Sequence, residues 1–168
     1  ESLPRCRVDV AQVRQLIMNL LTNASDAIGG RDGAITVATG VVLADRAYLA
    51  ATYLDEDLPE GQYVWLEVSD TGCGMDAETQ RRMFDPFFTT KPTGHGLGLS
   101  ATLGIVRGHR GALRVYSEPQ RGTTIKVLLP AVSSEQPITD APPNLENAKR
   151  VGACALVVDD EAEIRATL

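Results

Sequence analysis

From Val10 to Ile28 apolar residues return every three to four positions: Val10, Val13, Ile17, Leu20, Leu21, Ala24 and Ile28 fall on one stripe. That spacing predicts an amphipathic helix, with Asp9 as its N-cap and Gly29-Gly30 as its stop. The period then shortens. Residues 34–43 read as a strand, and in 62–70 Val64, Leu66 and Val68 alternate with Trp65, Glu67 and Ser69. The stretch between them, 44–61, reads as a hairpin-like or irregular insertion carrying Asp55, Glu56 and Asp57. A short helix is predicted over 76–84 with Asp76 as its cap, and a longer one over 99–109 through Leu99, Leu103 and Val106. Two further strands, 112–117 and 123–129, flank the turn 119–122. Three helices and at least four strands predict an α/β fold: a two-layer sandwich with a mixed sheet and helices on one face.

Composition adds boundaries to this picture. Residues 130–152 hold four of the nine prolines and few large apolar side chains, which marks 133–152 as a linker between a domain over 1–132 and a further segment, 153–168. A chain of 168 residues suffices for one well-buried domain plus an appendage. A net charge of −6 argues against nucleic acid as a partner, and no apolar run nears the roughly 20 residues that span a bilayer. Cys6, Cys73 and Cys154 are odd in number and share no metal-ligand spacing, so they read as reduced thiols in a cytoplasmic setting. The chain opens without methionine and stops inside an apolar segment, the expectation being that it is a piece of a longer protein.

Four segments can carry chemistry. Asp70 continues the Val64/Leu66/Val68 register, which aims a carboxylate inward at a strand end. Buried unpaired it would cost several kcal/mol, so it calls for a donor such as an adenine amino group, unless it simply opens the Gly-rich turn 71–74. On the first helix Asn19, Asn23 and Asp26 lie within about 60° of one another, along the rim of the apolar face. Their oxygens suit Mg²⁺, and an ordinary solvated flank would use the same residue types. The loop 94–100, Gly-His-Gly-Leu-Gly-Leu-Ser, precedes a helix, where backbone N–H groups and the helix dipole favour a phosphate chain. It is no Walker loop, and a flexible connector reads the same way. Finally Phe84, Phe87 and Phe88 crowd a segment continuing into Thr89, Thr90 and Lys91: a hydrophobic anchor, or a lid bringing those three toward phosphates. His95 and His109 stand alone, with no nucleophile or carboxylate spaced for a triad.

Taken in order, these segments resemble the ATP-binding catalytic domain of sensor histidine kinases. Asn19-Leu20-Leu21-Thr22-Asn23-Ala24 is similar to its N box, Asp70-Thr71-Gly72-Cys73-Gly74 to G1, the run from Phe84 to Lys91 to the F box, and the run from Gly94 to Leu99 to G2. Gly122-Thr123-Thr124 resembles the closing threonine motif, so the likeness covers about residues 5–130. It implies a Bergerat-type sandwich holding ATP and Mg²⁺. Asp70 would receive the adenine amino group, with Thr123 assisting around the ring. Gly72, Gly74, Met75, Phe88, Thr89, Thr90, Lys91, Gly94, His95, Gly96, Leu97, Gly98 and Leu99 would surround the nucleotide, together with Asn23 and Asp26. Asn19 and Asn23 would hold Mg²⁺ and, with Lys91, serve phosphoryl transfer to a histidine on a separate dimerisation domain.

Position 19 separates the kinases from relatives of the same fold (DNA gyrase, heat-shock chaperones, mismatch-repair proteins). Those carry a glutamate there to activate water, which an amide cannot do. At position 26 several histidine kinases carry a basic residue that touches phosphate; an acid stands here, so Lys91 or an arginine must supply that charge, or the contact is missing. The run 155–161, Ala-Leu-Val-Val-Asp-Asp-Glu, resembles the first strand of a receiver domain and implies a hybrid kinase, with a receiver or response regulator as partner. A nucleotide-gated interaction module without phosphotransfer is the reading left open beside it.

Overall fold

The computed structural model describes residues 3–53, 58–91, 94 and 96–132. The residues Asp55, Glu56 and Asp57, His95, the linker 133–152 and the receiver-like segment 153–168 lie outside the described residues.

Helix α1 (Val10–Ile28) begins at Asp9, whose carboxylate accepts the Ala11 and Gln12 N–H groups, and ends at Gly29 in the left-handed region. The observed buried stripe is Leu16, Leu20 and Ala24, with Ile17 and Leu21 packed beside it. Val10, placed on the stripe by periodicity, is 62% exposed, whereas Leu16 is 1% exposed. Leu16 lies about 120° around the helix from Val10, so the buried face is turned away from the side on which Val10 stands. Four strands follow, β1 (Ile35–Ala44), β2 (Gly61–Asp70), β3 (Ala112–Glu118) and β4 (Gly122–Pro130). They are joined by α2 (Arg46–Ala50), α3 (Ala77–Arg82) and α4 (Gly98–Gly108).

The sheet order is β1-β2-β4-β3, and every pairing is antiparallel. The expected mixed sheet is therefore corrected. The crossover through α3 and α4 does join two strands that run the same way, β2 and β3. The short 119–121 turn then returns β4 into the slot between them, so no parallel pair forms among the described residues.

One face of the sheet carries the main core, where Leu16, Leu20 and Ala24 of α1 and Val106 of α4 meet Val68, Leu113, Ile125 and Val127. The opposite face is not bare, as helices on one face alone would leave it. The 44–61 insertion contains α2, capped by Asp45, and Leu49 packs there with Tyr63, Ala112 and Leu128. Gly40 is required on that face: a Cβ would strike the Trp65 ring of the paired strand. Within the insertion, the Tyr53 N–H donates to the Leu113 carbonyl of β3, and its ring packs against Phe84 at a tilt of 57°.

Candidate functional site

The end of β2 fixes one side of the site. Asp70 Oδ1 accepts two backbone N–H groups, from Gly72 at 2.8 Å and Thr123 at 3.3 Å, which leaves Oδ2 free to accept. The residue is only 9% exposed and lines a cavity of about 850 Å³. The inward register expected of this residue is thus observed. The glycines beside it answer to close packing of the turn. A Cβ on Gly72 would strike the Ala27 backbone of α1, and the Cys73 N–H donates to that same Ala27 carbonyl at 2.9 Å. Gly74 has φ +64°, and a Cβ there would overlap the Glu118 carbonyl. Glycine at 72 and 74 lets the turn lie directly against α1 and the β3–β4 turn. Gly72 itself is off the cavity wall, while Gly74 and Met75 are on it.

Ser117 and Gln80 hold the far side of this turn. The Met75 N–H donates to Ser117 Oγ at 2.8 Å, and Gln80 Nε2 donates to the Met75 and Ser117 carbonyls. Ser117 Oγ also lies 2.8 Å from the Thr123 hydroxyl, which places Thr123 on the wall beside Asp70. Neither residue stands out in the sequence; both sit at ordinary polar positions of their elements. Asp76, also on the wall, caps α3, and the Thr79 N–H it accepts holds its carboxyl below the usual carboxylate range. The floor is apolar: Leu20, Ala24, Val68, Met83 and Ile125. None was singled out for the site, yet Val68 precedes Asp70 on one face of β2, the signal that could have found it.

Across the cavity, Phe88, Thr89, Thr90, Lys91, Gly94, Gly96, Leu97, Gly98 and Leu99 form the opposite wall. The three phenylalanines do not act as one anchor. Phe84 is buried, Phe88 lies under the Arg82 guanidinium at 4.4 Å, and Phe87 is 75% exposed with φ +66°. The Phe87 N–H donates to the Gly96 carbonyl at 3.0 Å, and Gly96 has φ +67° with no room for a Cβ against Phe87 and Phe88. Helix α4 then starts at Gly98 with no side-chain cap, and Gly98 and Leu99 of its first turn line the cavity.

Asn19 and Asn23 lie on the flank of α1 that meets this helix. Asn19 is off the cavity wall, and its Nδ2 donates to the Gly98 carbonyl at 3.1 Å. Asn23 and Asp26 are on the wall, and both are held by Lys91. Its Nζ lies 2.8 Å from Asn23 Oδ1 and 2.7 Å from Asp26 Oδ2. Among the described residues no group of three or more His, Cys, Asp and Glu side chains is placed to hold a metal. The oxygens available to a cation on this wall are those of Asn23 and Asp26, and an ammonium already sits on them. His109, the other histidine, lies elsewhere: it accepts the Asp9 N–H at Nε2 and ties the C-terminus of α4 to the start of α1. No described helix is long and apolar enough to cross a membrane.

A family described as "Histidine kinase-, DNA gyrase B-, and HSP90-like ATPase" matches residues 8–133. Among curated proteins, the chain is 39% identical over 169 residues to "Sensor kinase CckA" of Brucella abortus, covering 95% of this chain and 17% of that protein. It is 38% identical to "Sensory histidine kinase/phosphatase NtrB" of Rhizobium leguminosarum bv. phaseoli, covering 83% of this chain and 35% of that protein. The chain therefore spans about a third or less of the length of these relatives. Among solved structures, the mycobacterial sensor histidine kinase MprB aligns with a TM-score of 0.56 at 25% identity, over 76% of this chain and 77% of that one. The catalytic domain of histidine kinase ThkA aligns with a TM-score of 0.54 at 26% identity, over 74% of this chain and 69% of that one.

Proposed function

The chain belongs to the family of histidine kinase-, DNA gyrase B- and HSP90-like ATPases, and from that premise we propose that it binds Mg²⁺–ATP and donates the γ-phosphoryl group to a histidine on a separate dimerisation domain. The relatives named above support a kinase within this family, and one side chain carries the choice. Asn19 stands where a hydrolytic relative needs a carboxylate. Its amide cannot accept a proton from water, and its Nδ2 is committed to the Gly98 carbonyl.

The cavity suits the nucleotide at both ends. Asp70 offers Oδ2 to the adenine amino group, Thr123 assists beside it, and the apolar floor accepts the ring. Phosphates extend toward the first turn of α4, with Thr89, Thr90 and Lys91 on the facing side. Asn23 and Asn19 are the amides proposed to hold Mg²⁺. Bound there, the ion would neutralise phosphate charge, and catalysis by this chain would otherwise be positioning. The receiver-like run 155–161 supports a hybrid parent acting in the cytoplasm, with a receiver or response regulator as the next acceptor.

The test is to mix the chain with its parent's dimerisation domain and [γ-³²P]ATP. Acid-labile label on that domain's histidine is expected, and none on the chain alone. Nucleotide binding without any label on the histidine would favour a nucleotide-gated interaction module. Sustained phosphate release by the chain alone would overturn the use made of Asn19.

A further inference from the structure

We propose that Asp26 is a positioning residue: it parks the Lys91 ammonium on the α1 wall, and nucleotide must draw Lys91 away from it before the site is filled. The inference rests on the nucleotide reading and deepens it. Lys91 is the one lysine or arginine on the cavity wall among the described residues. Among the described residues, the positive charge that the chain itself brings to a phosphate chain therefore comes from Lys91 and from the α4 N-terminus. Its Nζ is nevertheless spent on α1, at 2.7 Å from Asp26 Oδ2 and 2.8 Å from Asn23 Oδ1. Both are short, charge-assisted contacts. The Asn23 oxygen held in this way is also the one proposed for Mg²⁺, so the ammonium occupies a cation position.

Asp26 has no donor to give a phosphate, and its charge would repel one. Its geometry serves Lys91 instead. The clasp crosses 65 residues of sequence and joins the end of the phenylalanine segment to α1. When a phosphate chain enters, Lys91 exchanges a carboxylate for phosphate oxygens, and Asn23 Oδ1 is released at the same time. The pair opposes nucleotide entry by what it contributes when empty. The Asp26 and Lys91 side chains are 47% and 35% exposed, so that contribution is a small one.

The experiment compares wild type, Asp26→Ala, Asp26→Glu and Lys91→Met for binding of the ATP analogue AMP-PNP, with and without Mg²⁺. Asp26→Ala is expected to bind about two- to five-fold tighter, from the range typical of partly exposed ion pairs. Asp26→Glu should restore the wild-type value. Lys91→Met should bind more weakly, and adding Asp26→Ala to it should gain less than the same change gains in the wild type, since only the carboxylate's repulsion is then relieved; an equal gain in both backgrounds would overturn the clasp. Weaker or equal binding by Asp26→Ala would overturn the proposal, and weakening confined to the Mg²⁺ arm would make Asp26 a metal ligand instead. A second measurement needs no nucleotide: acylation of Lys91 by a lysine-selective reagent, mapped by mass spectrometry. It should be slow in the wild type and faster in Asp26→Ala, and equal rates would overturn the clasp. Absence of AMP-PNP binding by the wild type would remove the nucleotide reading, leaving the acylation rates to judge the clasp.

Discussion

Replacing Asp70 by asparagine tests the base-reading end of the cavity with little disturbance to the fold. Oδ1 accepts the Gly72 and Thr123 N–H groups, and an asparagine oxygen can take over both. That forces Nδ2, a donor, into the place of Oδ2. A donor facing the adenine amino group loses the hydrogen bond and meets its like. A hydrogen bond to a charged group contributes about 1.5–3 kcal/mol, which at 1.4 kcal/mol per factor of ten predicts about 10- to 150-fold weaker adenine nucleotide binding. The same donor can serve the carbonyl oxygen of guanine, so GMP-PNP affinity should rise and the ratio of AMP-PNP to GMP-PNP affinity should fall further than the AMP-PNP affinity alone. Titration calorimetry of both analogues with both proteins measures this, with thermal unfolding as a control. Unchanged AMP-PNP affinity would refute the assignment of Asp70 to adenine. Equal losses for the two analogues would mean that the cavity was damaged and no base was being read.

Three further outcomes follow from the packing. Leu16→Ala should cost about 2–5 kcal/mol in urea unfolding, whereas Val10→Ala, at a 62% exposed position, should stay within about 0.5 kcal/mol; equal costs would contradict the observed stripe. Gly74→Ala combines φ +64° with a Cβ that overlaps the Glu118 carbonyl, so a loss of about 2 kcal/mol or more is expected, together with weaker AMP-PNP binding. The Asp76 carboxyl is held below its ordinary value by the Thr79 N–H, so its stabilising effect is complete above the unfolded-state value and is lost as pH falls through the lower folded one. Asp76→Ala should accordingly be less stable than wild type at neutral pH, and the two should converge in strong acid when melting temperatures are followed downward in pH.

Much of this molecule follows from local pattern. Helix α1 has the bounds its period predicts, because Asp9 and Gly29 act on adjacent backbone. The strands lie within a residue or two of their predicted ends, and the inward aim of Asp70 follows from the two-residue period of β2. Fifteen of the residues expected around the nucleotide line the observed cavity, because their motifs fall at element ends that converge there. Other features depend on chain segments far apart in sequence. Sheet order decides that β4 separates β2 from β3, and no window of sequence contains that choice. Leu16 rather than Val10 is buried because packing with residues such as Val106 and Leu113 selects which side of the helix turns inward, and the apolar period alone leaves that side open. Gly72 and Gly74 are demanded by Ala27 and Glu118, one preceding them by 45 residues and the other following by 44. The Lys91–Asp26 pair belongs to the same class. The sequence shows that an acid stands at position 26 and a lysine at 91, and only their approach to 2.7 Å in the folded chain makes one the keeper of the other.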